Sequence, residues 1–137
     1  MTAIDKLKEV SAFLKSKGIE DAAKEAEILI IETLRISKSK LYAGSFEMSE
    51  DESKQIDALA SRRARREPLQ YIIGHVEFHG LKIKVGQGVL IPRPETELLA
   101  EEVIKAVQRK SNDSELKVLD LCTGSGCLAL AIAKHFP

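Results

Sequence analysis

The residues with the greatest chemical capacity lie late in the sequence, in Asp120-Leu-Cys122-Thr123-Gly124-Ser125-Gly126. A carboxylate, two hydroxyls, a thiol and two glycines share one short stretch. Gly124 and Gly126 lack Cβ atoms, so the backbone there takes positive φ freely and a ligand can come close to it. Before them, Lys117–Leu121 has the character of a buried strand; after them, the Ala- and Leu-rich run from Cys127 to Ala133 reads as a helix. A helix opening at Gly126 or Cys127 directs unpaired N–H groups and a partial positive charge at whatever sits over the turn. Asp120 sharpens the choice of ligand. A carboxylate at the strand's end opposes a phosphate and suits a cationic group such as an ammonium. The plainer alternative is an ordinary tight strand-to-helix turn with no ligand, which the spacing of these residues counts against.

Gly124-x-Gly126-x-x-Ala129 also fits the dinucleotide pattern in its G-x-G-x-x-A form, a weak match by itself and one that Asp120 counts against. The whole stretch resembles the first motif of S-adenosylmethionine-dependent methyltransferases, in which an acidic residue precedes a G-x-G-x-G turn. Cys122 stands here where that pattern has its first glycine. The resemblance implies a ligand whose carboxylate faces the helix N-terminus.

Elements must hold that turn, and the composition limits what they are. The chain of 137 residues suits one domain, or one with a small neighbour. Its 21 basic and 21 acidic residues cancel, which gives no argument for direct nucleic-acid or membrane affinity. No apolar run approaches the roughly 20 residues that span a bilayer. Cys122 and Cys127 make a poor zinc site and no disulfide framework, so no metal is expected and the reducing, cytoplasmic compartment is. Cys127 reads as a small residue filling a tight turn.

From the start, Ile4, Leu7, Val10 and Leu14 form a helical stripe over Thr2–Lys17, closed by Gly18. A second helix is expected over about Asp21–Ile36, buried through Ala22, Ala26, Leu29, Ile30 and Leu34. Ser37–Gly44 reads as one or two helical turns. Ser49-Glu-Asp-Glu52 is a capping box opening a helix that runs through Ile56, Leu59, Ala60 and Ala64 to about Arg66. Its end carries Arg62, Arg63, Arg65 and Arg66, either a solvated helix end or a docking patch for an acidic or RNA-associated partner. A short helical turn, Leu69–Gly74, follows Pro68. Strands Val76–Phe78 and Leu81–Val85 then meet at His79-Gly80 as a hairpin, with His75 and His79 read as surface residues. Pro92 and Pro94 stiffen the connector to a helix starting near Pro94. Leu99, Val103, Ala106 and Val107 are expected on its buried face. Arg93, Glu95 and Thr96 are thereby held at a helix N-terminus. Ser111–Glu115 reads as a polar loop.

Pro68-Leu-Gln-Tyr-Ile-Ile-Gly74, Glu77-Phe78-x-Gly80, Val89-Leu-Ile-Pro-Arg-Pro-Glu-Thr-Glu97 and Val118–Gly126 together resemble the HemK/PrmC family of peptide chain release factor glutamine N5-methyltransferases. The resemblance runs the length of the chain and is most specific in Ile-Pro-Arg-Pro-Glu-Thr. It implies an α+β chain: an all-helical domain over 1–67 that helps recognise the release factor, a β-hairpin linker over 68–91, and over 92–137 the first β-α unit of a Rossmann-like methyltransferase domain. It implies S-adenosyl-L-methionine as cofactor, bound by Asp120, Cys122, Thr123, Gly124, Ser125 and Gly126, with Arg93, Glu95 and Thr96 near the substrate. The acceptor would be the glutamine of the release factor's Gly-Gly-Gln motif.

The family's Asn-Pro-Pro-Tyr segment and the acid that holds the cofactor's ribose do not occur in these residues. The sequence is therefore expected to be an N-terminal portion of the enzyme, without a catalytic residue for the acceptor and inactive alone. Two further readings stay open: a release-factor binding module without catalysis, and a methyltransferase with a nucleic-acid acceptor. A nicotinamide-dependent oxidoreductase is disfavoured by Asp120.

Overall fold

The computed structural model describes residues 1–110 and 117–136; the polar loop expected at Ser111–Glu115 lies outside them. The chain divides into two compact units, Met1–Ile73 and Gly74–Pro137.

The first unit is built from helices, with one isolated antiparallel bridge between Thr2 and Glu47. Helix α1 (Ala3–Ser16) begins at Thr2, whose hydroxyl accepts from the Asp5 N–H, and ends where Gly18 turns left-handed at φ 72°. The Gly18 and Ile19 N–H groups return to Lys15 and Leu14 carbonyls at 3.0 and 3.1 Å, satisfying the helix end. Helix α2 (Ala22–Leu34) stops at Arg35, also left-handed at φ 52°. A short α3 (Lys38–Tyr42) is capped by the Ser37 hydroxyl. Helix α4 (Glu50–Ala64) carries the capping box: Ser49 Oγ accepts from the Glu52 N–H, and the Glu52 carboxylate accepts from the Ser49 N–H at 2.8 Å. Helix α5 (Leu69–Ile73) adds Leu69 and Ile72 to a core made by Leu7, Val10, Leu14, Leu29, Ile30, Leu41 and Ile56. Each predicted helix of this unit is present within a residue or two of its expected ends.

One buried charge was not foreseen. Lys6 lies on the buried side of α1 at 1% exposure, its ammonium 2.7 Å from Asp57 of α4 and 3.2 Å from Glu9. Burial opposes its charge, but hydrogen bonds to Asp57 and Glu9 outweigh that and hold its pKa above the ordinary lysine value. Lys6 thus ties α1 to α4.

The second unit begins with strands β1 (His75–Phe78) and β2 (Leu81–Lys84), antiparallel with Val76 opposite Ile83. His79 and Gly80 both have positive φ, 49° and 68°, the geometry that matches a two-residue hairpin to the strand twist. Helix α6 (Pro94–Lys110) packs on α7 (Cys127–His135). The Lys134 ammonium donates to the Gly80 carbonyl at 3.2 Å, and the His79 and His135 rings meet edge-to-face at 5.2 Å. The end of α7 is thereby fastened to the hairpin turn.

Two expectations fail here. The buried side of α6 is Ala100 and Ile104; Leu99 is 51% exposed, Ala106 is exposed, and Val103 and Val107 are half-buried. The helix has apolar residues around more than one face, so periodicity alone placed the buried stripe one residue, about 100°, away from where it falls. The second failure is the strand at Lys117–Leu121. Its described residues form no ladder, and Leu119 and Leu121 are 85% and 80% exposed. A strand exists through its partners, and no described strand pairs with this one. The described architecture is therefore mostly helical with one two-stranded antiparallel sheet, and it shows the helical bundle but not a Rossmann-like sheet.

Candidate functional site

The turn Asp120–Gly126 is built from left-handed backbone. Cys122, Gly124 and Gly126 stand at φ 61°, 57° and 76°, three alternate positions in a conformation that costs an ordinary side chain energy. Cβ atoms at Gly124 and Gly126 would meet only ordinary contacts near 4 Å, so these glycines serve the conformation more than the space. The Thr123 hydroxyl donates to Asp120 Oδ2 at 2.8 Å, and the Gly126 N–H donates to the Thr123 carbonyl at 2.9 Å. These two bonds brace the turn across its base.

Gly126 is the N-cap of α7 and supplies no side-chain cap, so α7 opens with backbone N–H groups free for another acceptor. Cys127, buried at the first helical position, anchors that opening, while Cys122 and Thr123 are exposed. The arrangement presents a hydroxyl-fixed carboxylate on one side and a positive helix end on the other. Such a pair complements a ligand carrying both an ammonium and a carboxylate.

The structure brings Asp120, Cys122, Thr123, Gly124, Ser125 and Gly126 into one turn. Arg93, Glu95 and Thr96 lie at the start of α6, where the Thr96 N–H donates to the Arg93 carbonyl at 3.0 Å. Arg93 and Glu95 are exposed, Thr96 is half-buried, and no described hydrogen bond or ion pair joins their side chains to the turn. Among the described residues no group of three or more His, Cys, Asp and Glu could hold a metal, and no helix is long and apolar enough to cross a membrane.

The arginine-rich end of α4 is occupied internally. Arg62 donates to Glu67 through Nε at 2.8 Å and through its terminal nitrogen. Arg63 grips Glu25 of α2 with two bonds, and Arg66 donates to the Lys17 carbonyl at 3.2 Å. The Arg62 hydrogen bond holds the Glu67 carboxyl below its ordinary pKa. Of the four, Arg65 alone has no side-chain hydrogen bond described, although its charge also favours the ionised Glu67. Sequence reasoning missed these pairs because Glu25 is 38 residues away, although the Arg62–Glu67 spacing was available to it.

Residues 5–74 match the family model described as the PrmC N-terminal domain. The chain belongs to the PrmC family. It is similar to the release factor glutamine methyltransferase of Thermodesulfovibrio yellowstonii, 45% identical over all of this chain and 47% of that relative. The protein of the same description from Geobacter sulfurreducens is 40% identical over 91% of this chain and 43% of its own length. That from Fusobacterium nucleatum is 36% identical over 90% and 34%. This PrmC-family chain thus spans under half the length of these curated relatives. The family match coincides with the helical unit, and the alignment with the first relative runs on through the Asp120–Gly126 turn.

Proposed function

We propose that this chain carries the acceptor-recognition domain and the cofactor turn of a cytoplasmic S-adenosyl-L-methionine-dependent methyltransferase acting on the Gly-Gly-Gln glutamine of peptide chain release factors. The observation that carries the cofactor half is the braced, left-handed turn between Asp120 and the uncapped start of α7. The names of the relatives support the acceptor half.

S-adenosyl-L-methionine, when bound, supplies an activated methyl group. On this reading, Asp120 takes the cofactor's ammonium, and the N–H groups opening α7 take its carboxylate. Thr123 keeps Asp120 in place by its 2.8 Å hydrogen bond, so the carboxylate need not be ordered when the cofactor arrives. Cys122 to Gly126 form the rim. Arg93, Glu95 and Thr96, on the stiff connector into α6, are assigned to the substrate side.

The acceptor sets a separate demand. A carboxamide nitrogen is a poor nucleophile because its lone pair is delocalised into the carbonyl. Groups that hold its N–H bonds and aim it can supply roughly 7–11 kcal/mol through positioning. None of the 137 residues is assigned to that task. Without an acid to hold the cofactor's ribose, purified 1–137 should bind S-adenosyl-L-methionine more weakly than low-micromolar, and without acceptor-positioning groups it should leave a release factor unmethylated. Calorimetry and mass spectrometry of the Gly-Gly-Gln peptide test both statements. Turnover by this chain, or tight cofactor binding, would overturn the assignment of roles.

A further inference from the structure

Of the chain's three histidines, two come together from distant parts of the second unit. His79 is the first residue of the hairpin turn, and His135 is the last residue of α7. Their ring centres lie 5.2 Å apart, with the planes 65° from each other. His79 is half-buried and His135 exposed, so the pair is open to solvent.

The nitrogens of His135 are not equivalent. Its Nδ1 lies 3.1 Å from the Ala131 carbonyl, one helical turn earlier. A carbonyl only accepts, so in the neutral ring Nδ1 carries the proton and Nε2 keeps its lone pair. Metal-ligating histidines are held in this way: a backbone carbonyl takes the second nitrogen and fixes both tautomer and ring. No hydrogen bond is described for the His79 ring. The last torsion of a histidine is broad, so the edge of that ring can turn toward the same point. The frame beneath the rings is already closed. His79 holds a left-handed turn at φ 49°, and the Lys134 ammonium ties the next residue, Gly80, to α7 at 3.2 Å.

Two imidazoles on one tetrahedral ion, each nitrogen about 2.0–2.1 Å from it, have ring centres roughly 5 Å apart. We infer that His79 and His135 are a two-point site for a divalent transition ion of zinc's class, which clips the hairpin turn to the end of α7. The inference does not depend on the methyltransferase reading. No third His, Cys, Asp or Glu completes the set among the described residues, so water supplies the remaining positions. Imidazole ligands suit zinc, copper(II) or nickel(II) and not magnesium or calcium. The Lys134 ammonium opposes such an ion, while the carbonyl end of α7, where His135 stands, favours it. The hold is therefore modest, weaker than that of a four-ligand structural site.

The test titrates ZnCl2 into wild-type 1–137, His79→Asn and His135→Phe, followed by calorimetry and by the 1H–15N signals of the histidine rings. Asparagine tolerates the left-handed backbone at position 79, and phenylalanine keeps an aromatic ring against His79. Each variant thus removes a ligand and spares the fold, which circular dichroism checks. In the wild type one ion should bind, moving the His79 ring and the His135 Nε2 signal while the His135 Nδ1 proton is kept. His75, roughly 13 Å away along β1, should not move. Each variant should bind at least about tenfold more weakly.

Unchanged affinity in either variant overturns the inference and leaves the pair as a packing contact. Binding that reports at His75 or Cys122 in place of the pair overturns it too. So does an absence of saturable binding at roughly 1 mM zinc. A wild-type His135 Nε2 signal that stays fixed as zinc binds also overturns it, whether or not the variants fold.

Discussion

The unit Met1–Ile73 hides nearly all of its large apolar side chains, whereas the unit beginning at Gly74 leaves Leu90, Leu98, Leu119, Leu121 and Leu130 more than half exposed. Helices explain the contrast. Each satisfies its own backbone, so α1 to α5 need only bring apolar stripes together, and they close on a single core. The second unit depends on strand-like segments, and these need partners along their edges. In the first unit stability is local and complete; in the second, the candidate site rests on a few bonds in one turn.

The sharpest way to break this contrast is to truncate one leucine in each unit. Leu29→Ala, at a fully buried position, should cost about 2–5 kcal/mol by denaturant titration followed at the helical signal. Leu119→Ala should cost less than about 0.5 kcal/mol. A large loss at Leu119 would mean that Lys117–Leu121 is packed in solution.

The same distinction divides the arginines. Arg63→Ala breaks two bonds to Glu25, a carboxylate only 17% exposed, and should lower stability by about 2 kcal/mol. Arg65→Ala should stay within about 0.5 kcal/mol. Equal effects would return all four to the role of a solvated helix end.

Much of the first unit was legible because its signals are local. The Ser49–Glu52 box, Gly18 and the stripe Leu7, Val10, Leu14 each act within one or two turns of helix. Lys6 falls on that same stripe, since Ala3, Lys6, Val10 and Leu14 follow helical spacing, but its partner Asp57 is on another helix. Spacing marked the position as buried while residue type argued against it. For the candidate site, the glycines and Asp120 were readable as a turn, and the Thr123 bond gives a reason for the acid's fixed position. The strand before it was not, because apolar β-character states what a segment prefers and not whether a neighbour pairs with it. The buried side of α6 was misplaced for a related reason: with apolar residues on several faces, the packing partner α7 decides.

A smaller effect is expected within the turn. Cys122 holds φ 61°, where glycine is the easier occupant, so Cys122→Gly relieves strain while adding freedom to the unfolded chain. The balance should favour the variant by about 0.5 kcal/mol, read as roughly twofold slower amide exchange across Gly124–Leu128. Faster exchange would show that the thiol contributes a contact the turn needs.

The smallest effect concerns pH. Tyr42 and Lys38 lower the Glu27 pKa, the Ser49 N–H and hydroxyl lower that of Glu52, and Arg62 lowers that of Glu67. Groups with folded values below their unfolded ones contribute stability that is present above the ordinary glutamate value, near 4.5, and lost as pH falls through the lowered values. The melting temperature of the helical unit should therefore drop below about pH 4.5, and Glu67→Gln should flatten part of that slope. Lys6 works in the opposite direction: its contribution is complete below the ordinary lysine value and fades as pH rises through its raised one. A melting temperature that is flat in acid would deny these pairs any role.

The central claim, that Asp120–Gly126 receives the cofactor, is tested most directly by titrating S-adenosyl-L-methionine into 15N-labelled 1–137 and following amide shifts. The account predicts weak, saturable shifts confined to Asp120–Leu128, and their loss in Asp120→Ala with the helical unit's spectrum unchanged. Shifts centred in Met1–Ile73, or shifts at the turn that survive Asp120→Ala at the same affinity, would contradict it.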